Sequence, residues 1–158
     1  MTRYAEGTSV PVAKSKMEIE LLLQKHRATR TAMAQEAGRA VVYFELQDRR
    51  VQFSMPLPLM DEKRFVFGQG GHSWKKRTPE AQAKAWEQAC RERWRALLLA
   101  IKAKFVSVET GVETFEQAFL AHIVLPGGMT VGQRVLPAVA ESYRTGTLPP
   151  LLPSGAPS

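Results

Sequence analysis

The sequence predicts an α+β fold: a small antiparallel three-stranded sheet, a long amphipathic helix packed on one face of it, and further helices toward the C-terminus, in the order α-β-β-β-α-α-α. Three observations predict it. From about Pro79 to about Val108, the residues Trp86, Cys90, Trp94, Leu97, Leu98, Ile101 and Phe105 recur at i, i+3 and i+4, which gathers them on one side of a helix at about 100° per residue. From Ala40 to Leu46 and from Arg50 to Met55, large apolar residues alternate with polar ones, the period of a half-buried strand. With 158 residues, 44% hydrophobic and 23% charged, the chain is long and apolar enough to build one core.

Taken in order, residues 1–14 carry no period and are expected to form an extended arm. Ser15-Lys16-Met17-Glu18 fits a capping box, and Ile19, Leu22, Leu23 and His26 follow at helical spacing, so a short helix is expected from Ser15 to about Arg27. Thr31 to Glu36 reads as a weak strand of small and polar residues, and Gly38 as a turn. With Asp48-Arg49 at the tip of the next hairpin, Leu46–Val51, Phe44–Phe53 and Val42–Met55 pair on one face, opposite Tyr43, Glu45, Arg50, Gln52 and Ser54. Pro56 and Pro58 end that strand. Leu59 to Thr78 shows no period and is expected to be a long loop, a kind of segment that usually carries function.

Thr78-Pro79-Glu80 has the N-cap, first-turn proline and first-turn acid of a helix start, and Gly111 closes that helix. Glu113 to Val124 is expected to be a further helix burying Phe115, Phe119 and Ile123. Pro126-Gly127-Gly128 breaks it, and Thr130 caps a last helix to about Arg144, with Pro137 inside. The expected organisation is an arm (1–14), a single α+β domain (15–145) and a Pro-rich tail (146–158).

The formal charge is +7, and 20 of the 22 Lys and Arg lie in residues 1–104 against 11 of the 15 acids. Such an uneven balance favours a polyanionic partner over general solubilisation. One cysteine, Cys90, excludes an internal disulfide and fits a reducing compartment. No apolar run approaches a membrane span, and the first residues lack the apolar stretch of a signal peptide, so a soluble protein of a cytoplasm is expected.

Two groups of residues are candidates for contact with an anion. Lys84, Arg91, Arg95 and Lys102 are spaced by 7, 4 and 7, which keeps them within about 40° of one another on a helix, beside the apolar face. A solvated flank is the plain reading of that stripe, and a phosphate-tracking line is the functional one. The second group is the 59–78 segment, where Lys63-Arg64-Phe65-Val66-Phe67 and His72-Ser73-Trp74-Lys75-Lys76-Arg77 interleave rings with cations, the mixture a single-strand site needs. The candidate set from it is Trp74, Lys75, Lys76 and Arg77. Gly68-Gln69-Gly70-Gly71 lacks the lysine and spacing of a phosphate loop. His26, His72 and His122 stand apart without metal-ligand spacing, Cys90 falls on the apolar face, and neither a metal site nor another cofactor is expected. Asp61, Glu62 and His72 are the best residues for a metal-dependent nuclease, a weaker reading than a protein without enzyme activity.

The order α-β-β-β-α with Lys75-Lys76-Arg77 leading into the last helix resembles a double-stranded RNA-binding domain over about residues 15–100, though without that family's Gly-Pro-x-His loop. A hairpin and third strand under a long helix also resembles the core of phage single-strand annealing proteins. Across the whole chain, Val10-Pro11-Val12, Val51 to Leu57 leading into Pro58, the stretch Trp86 to Leu98, Phe119-Leu120-Ala121-His122-Ile123 and Pro149-Pro150-Leu151-Leu152-Pro153 resemble a group of small phage and prophage proteins of unassigned function. The resemblance implies a phage setting and supplies no activity. The expected function is single-stranded DNA binding in replication or recombination, by phosphate contacts and ring stacking, in the host cytoplasm. The other reading is a protein-interaction module: an inhibitor of a host enzyme or defence factor, or an oligomeric structural component, with a homo-oligomer as one form of partner.

Overall fold

The computed structural model describes residues 5–70 and 73–151. The chain is α+β, and its elements follow the expected order with additions: α1 (Val12–Lys25), β1 (Thr29–Glu36), β2 (Arg39–Leu46), β3 (Arg49–Pro56), α2 (Lys63–Val66), β4 (Phe67–Gly70), β5 (Ser73–Lys76), α3 (Pro79–Glu109), α4 (Phe115–Phe119), a 3₁₀ turn (Leu120–His122) and α5 (Val131–Thr145). Strands β1, β2 and β3 form an antiparallel sheet in that order, and β4 and β5 form a separate two-stranded ribbon.

Helix α1 begins at Val12, three residues before the capping box that the sequence offers at Ser15. Ser15 instead lies one turn before Ile19 and two before Leu23, on the face that is buried, and Pro11 begins the helix by accepting the amides of Lys14 and Ser15 on its carbonyl. Burial of a whole face thus outweighs one side-chain cap. The helix ends as a Schellman motif: Arg27 sits at φ 60, its amide donates to the Gln24 carbonyl, and the Ala28 amide donates to the Leu23 carbonyl.

The β2–β3 hairpin turns on Gln47 and Asp48, not Asp48 and Arg49. Both carry positive φ, 50° and 56°, as a type I′ turn demands. The register is therefore Phe44↔Val51, Val42↔Phe53 and Ala40↔Met55, two residues away from the expected one. A slip of two leaves every side chain on the same face, so Ala40, Val42, Phe44, Val51, Phe53 and Met55 are all buried as the alternation requires. β1 starts at Thr29, two residues earlier than expected. It pairs with β2 from Ala32↔Tyr43 to Glu36↔Arg39, with an irregularity between Thr29 and Ala32.

The segment 59–78 is not a structureless loop. Phe65 in α2 is buried, and the Arg77 amide donates to the Val66 carbonyl, which closes the ribbon at its base. Elements of four residues carry no readable period, which is why the sequence leaves them as a loop.

Helix α3 runs for 31 residues as expected, capped by the Thr78 hydroxyl accepting the Ala81 amide, with Pro79 in the first turn. Cys90, Trp94, Leu97, Leu98, Ile101 and Phe105 are its buried face. Trp86 is only half-buried, and its indole Nε1 donates to the Pro58 carbonyl at 2.8 Å. With Ile19 and Leu23 of α1, this face covers the apolar side of the sheet.

The expected helix over 113–124 is shorter. Thr114 and Gln117 form a capping box, α4 stops at Phe119, and after the 3₁₀ turn Ile123 leaves the helix to bridge Val51, while the Val124 amide donates to the Arg50 carbonyl. The outer edge of β3 supplies a partner for that backbone, and Ile123 is buried against it. Phe119 is fully buried, with ring centroids 6.0 Å from Phe44, 6.2 Å from Phe53, 5.0 Å from Phe105 and 4.9 Å from Phe115. Helix α5 starts from the expected cap, with Thr130 and Gln133 forming a second capping box. Gly132 packs so tightly on the 3₁₀ turn that a Cβ there would meet the Ala121 carbonyl oxygen at 2.8 Å.

The turn assignment can be tested by placing Asn-Gly, the residues a type I′ turn prefers, at positions 47 and 48. Gln47→Asn with Asp48→Gly relieves two left-handed residues and should stabilise the fold by about 1 kcal/mol in urea melts. With the tip at Asp48-Arg49, that gain would be absent.

A pH dependence follows from the histidines. His26 stacks on Phe105 at 3.9 Å and His122 on Phe53 at 4.0 Å. Burial lowers the pKa of both. Glu109, 3.5 Å from His26 Nε2, opposes this while Lys25 adds to it; Lys104 adds to it at His122, and the Gln52 backbone opposes it. The unfolded chain, titrating near 6.5, takes up protons first, so this stability is complete above that value and declines as pH falls toward the folded pKa values. Tm should therefore drop on acidification from about pH 7.5 to about pH 5.5, and His26→Phe with His122→Phe should flatten the slope.

Candidate nucleic-acid interface

The ribbon pairs Phe67 with Lys76, Gly68 with Lys75 and Gln69 with Trp74. Since residues opposite each other share a face, Phe67, Gln69, Trp74 and Lys76 point to one side, and Gly68 and Lys75 to the other. Trp74 is 71% exposed, an unusual state for an indole, and Phe67 is also exposed. Together with Lys63 and Arg64 these rings line a mostly apolar concavity of about 460 Å³.

The cations around it differ in freedom. Among the described residues, Lys63, Lys75 and Lys76 meet no acidic partner. Arg64 pairs with Glu62 at 2.7 Å while its guanidinium lies over the Phe65 ring at 4.5 Å. Arg77 is occupied otherwise: its Nη1 donates to the carbonyls of Arg64 (2.7 Å) and Phe65 (3.1 Å), and its guanidinium lies across Gly68, where a Cβ would meet Nε at 3.0 Å. It is a buckle that joins α2 to the ribbon base, and its Nη1 is spent on backbone.

The α3 stripe is likewise divided. Lys84 and Lys102 are exposed. Arg95 pairs with Glu18 of α1 at 2.8 Å with both side chains half-buried, and Arg91 directs Nε and Nη2 to the side-chain Oε1 of Gln88. Gln88 and Glu92 also hold the arm against the helix, through the Thr8 carbonyl and the Gly7 amide. The stripe exists as a line, but its two middle members are engaged within the chain.

The structure thus places Trp74 and Lys76 on one face of the ribbon and Lys75 on the other, and sets Arg77, Arg91 and Arg95 to internal work. Lys63, Arg64 and Phe67 join the site although they stand outside the candidate set of residues. Their signal was present in the same run of rings and cations, but without the ribbon nothing indicates that Phe65 turns inward while Phe67 turns out.

The other chemistry in the sequence has plain structural uses. Cys90 is buried, and burial, with Glu87 nearby, pushes its thiol up. Glu62 accepts the Leu59 amide at 2.7 Å, and that bond, followed by Arg64, holds its carboxyl below the ordinary range. Among the described residues, no three His, Cys, Asp or Glu side chains could hold a metal ion together, and His72 lies outside those residues. Among the described residues, no helix is long and apolar enough to cross a membrane.

If Arg77 is a buckle, Arg77→Ala should cost about 1–2 kcal/mol through two unsatisfied carbonyls, and should speed tryptic cleavage at Lys75 and Lys76. Unchanged cleavage would mean that the ribbon is held by other contacts.

No protein-family model matches this chain, and neither a curated protein nor a solved structure is similar enough to it to count as a match.

Proposed function

We propose that the protein binds single-stranded nucleic acid through the β4–β5 ribbon and acts in replication or recombination, within the phage setting that the sequence resemblance implies. The observation that carries this reading is Trp74, held out at 71% exposure across an apolar concavity from Phe67, with Lys63 lining the concavity and Lys76 on the same face of the ribbon as both rings. An indole face in water gains most from another flat apolar face, and an unstacked base is the polyanion's own flat face. A duplex hides those faces and offers only phosphates, so the rings favour a single strand. Lys84 on the first turns of α3 follows the ribbon directly in sequence, and Lys102 continues the same side of the helix. They extend the cationic track without base contact.

A second reading has its own observation. Helix α5 leaves Leu136 and Tyr143 exposed, Tyr143 at 88%, and Leu148 beyond it is exposed too, which suits a host protein as partner. Capture of a host protein that persists after nuclease treatment would support it.

The nucleic-acid reading is tested by fluorescence anisotropy with labelled oligothymidylate. Trp74→Ala with Phe67→Ala should weaken binding by at least roughly 30-fold, from about 1–3 kcal/mol for each of the two lost stacks. Lys63→Ala and Lys76→Ala together should lower the salt slope by about 1.4, at about 0.7 per phosphate contact on a single strand. Absence of binding at low salt, or equal preference for duplex in the wild type, sinks the proposal.

A further inference from the structure

The two outer edges of the main sheet are treated differently. β3's edge is closed by Ile123 and by the Val124 amide. Along β1, no backbone group among the described residues pairs with the outer edge, and every residue from Thr29 to Glu36 except Met33 is exposed. An open edge presents a row of unpaired amides and carbonyls, and natural sheets blunt such rows with proline, lysine or a bulge. From Ala32 to Glu36, β1 has neither proline nor lysine, and its pairing with β2 is regular. The irregularity is confined to the step from Thr29 to Ala32, where Arg30 takes φ 50.

The strand's charges name the occupant. Arg30 stands at one end and Glu36 at the other, with Ala32, Met33 and Ala34 between them. A strand laid antiparallel on this edge is matched when it brings an acid to Arg30 and a cation to Glu36, with small side chains opposite Ala32 and Ala34 on the outer face and an apolar one opposite Met33. A second β1 does so about a two-fold axis, since the same patch then meets itself and the Arg30–Glu36 pair is formed twice. Neither charge is locked elsewhere: Arg30 is 80% exposed and reaches Glu45 only at 3.6 Å, and Glu36 is 75% exposed and reaches Arg39 at 3.6 Å. On the outer face Ala32 lies beside Tyr43 and Ala34 beside Val41, so the sheet continues across the seam without a bulky side chain in the way.

We infer that β1 is the seam of a two-fold homodimer, in which two three-stranded sheets join as one antiparallel sheet of six and Arg30 of each copy pairs with Glu36 of the other. The seam is short, so the dimer is of the weak, concentration-dependent kind.

Sedimentation velocity over a micromolar concentration series tests it. The wild type should shift from monomer to dimer as concentration rises. Arg30→Glu alone and Glu36→Arg alone each set like charges opposite each other twice, and each should lower the association constant about tenfold. The double variant Arg30→Glu with Glu36→Arg restores the pairs in reversed sense and should restore the dimer. Circular dichroism of each variant confirms that the fold is intact, and Ala32→Lys, which places a lysine on the exposed seam, gives a second way to open the dimer. A wild type that stays monomeric throughout overturns the inference. So does a dimer indifferent to both single charge reversals, or one that the double variant fails to restore.

Discussion

Phe119 is the residue on which the other parts converge. Its ring lies against Phe44 of β2, Phe53 of β3, Phe105 of α3 and Phe115 of its own helix. Edge-to-face contacts with the two sheet rings and tilted contacts with the helix rings suit the quadrupoles as well as the packing. Because the sheet and α3 are both large apolar surfaces, their separation is set by what fills the space between them at that end, and that filler comes from a segment far along the chain. Lys104 fastens it from outside, donating to the Ala118 carbonyl at 2.7 Å. Once Phe119 is seated, Ile123 is delivered to the edge of β3 and α5 begins beyond it.

Much of this was legible in the sequence, and the parts that were not share a cause. α3 was legible because many turns of one apolar stripe leave no other period to fit. The α5 start was legible because Thr130 and Gln133 stand at capping-box spacing with a proline-glycine break before them. Residue identity in the hairpin core was legible, but its register was not, since pairings two residues apart present the same face and only the φ values of Gln47 and Asp48 separate them. At α1 two local rules disagreed: Ser15 satisfies a capping box with Glu18 and also continues the stripe of Ile19 and Leu23, and tertiary burial chose the second.

The site was legible as chemistry and not as geometry. Rings interleaved with cations mark the 63–77 run on sight, yet which ring turns outward depends on where a four-residue helix ends and a four-residue strand begins. The freedom of each cation was hidden for a different reason. Glu18 and Arg95 are 77 positions apart, and the carbonyls that hold Arg77 belong to backbone, which carries no signal in residue type. Basic residues counted along a helix overstate the charge available to a ligand wherever another element packs alongside, as α1 does along α3.

The lateness of Phe119 in the chain has a consequence for synthesis. The sheet and most of α3 leave the ribosome before Phe115, Phe119 and Ile123 do. In that interval, Phe44 and Phe53 lack part of their cover and both sheet edges lie open, the state in which nascent strands pair with the wrong neighbour. A chain that terminates early, before Phe115, never leaves that state. The segment from Phe115 to Val124 is therefore more than an appendage to the sheet: it supplies the cover over Phe44 and Phe53 and the partner along the edge of β3.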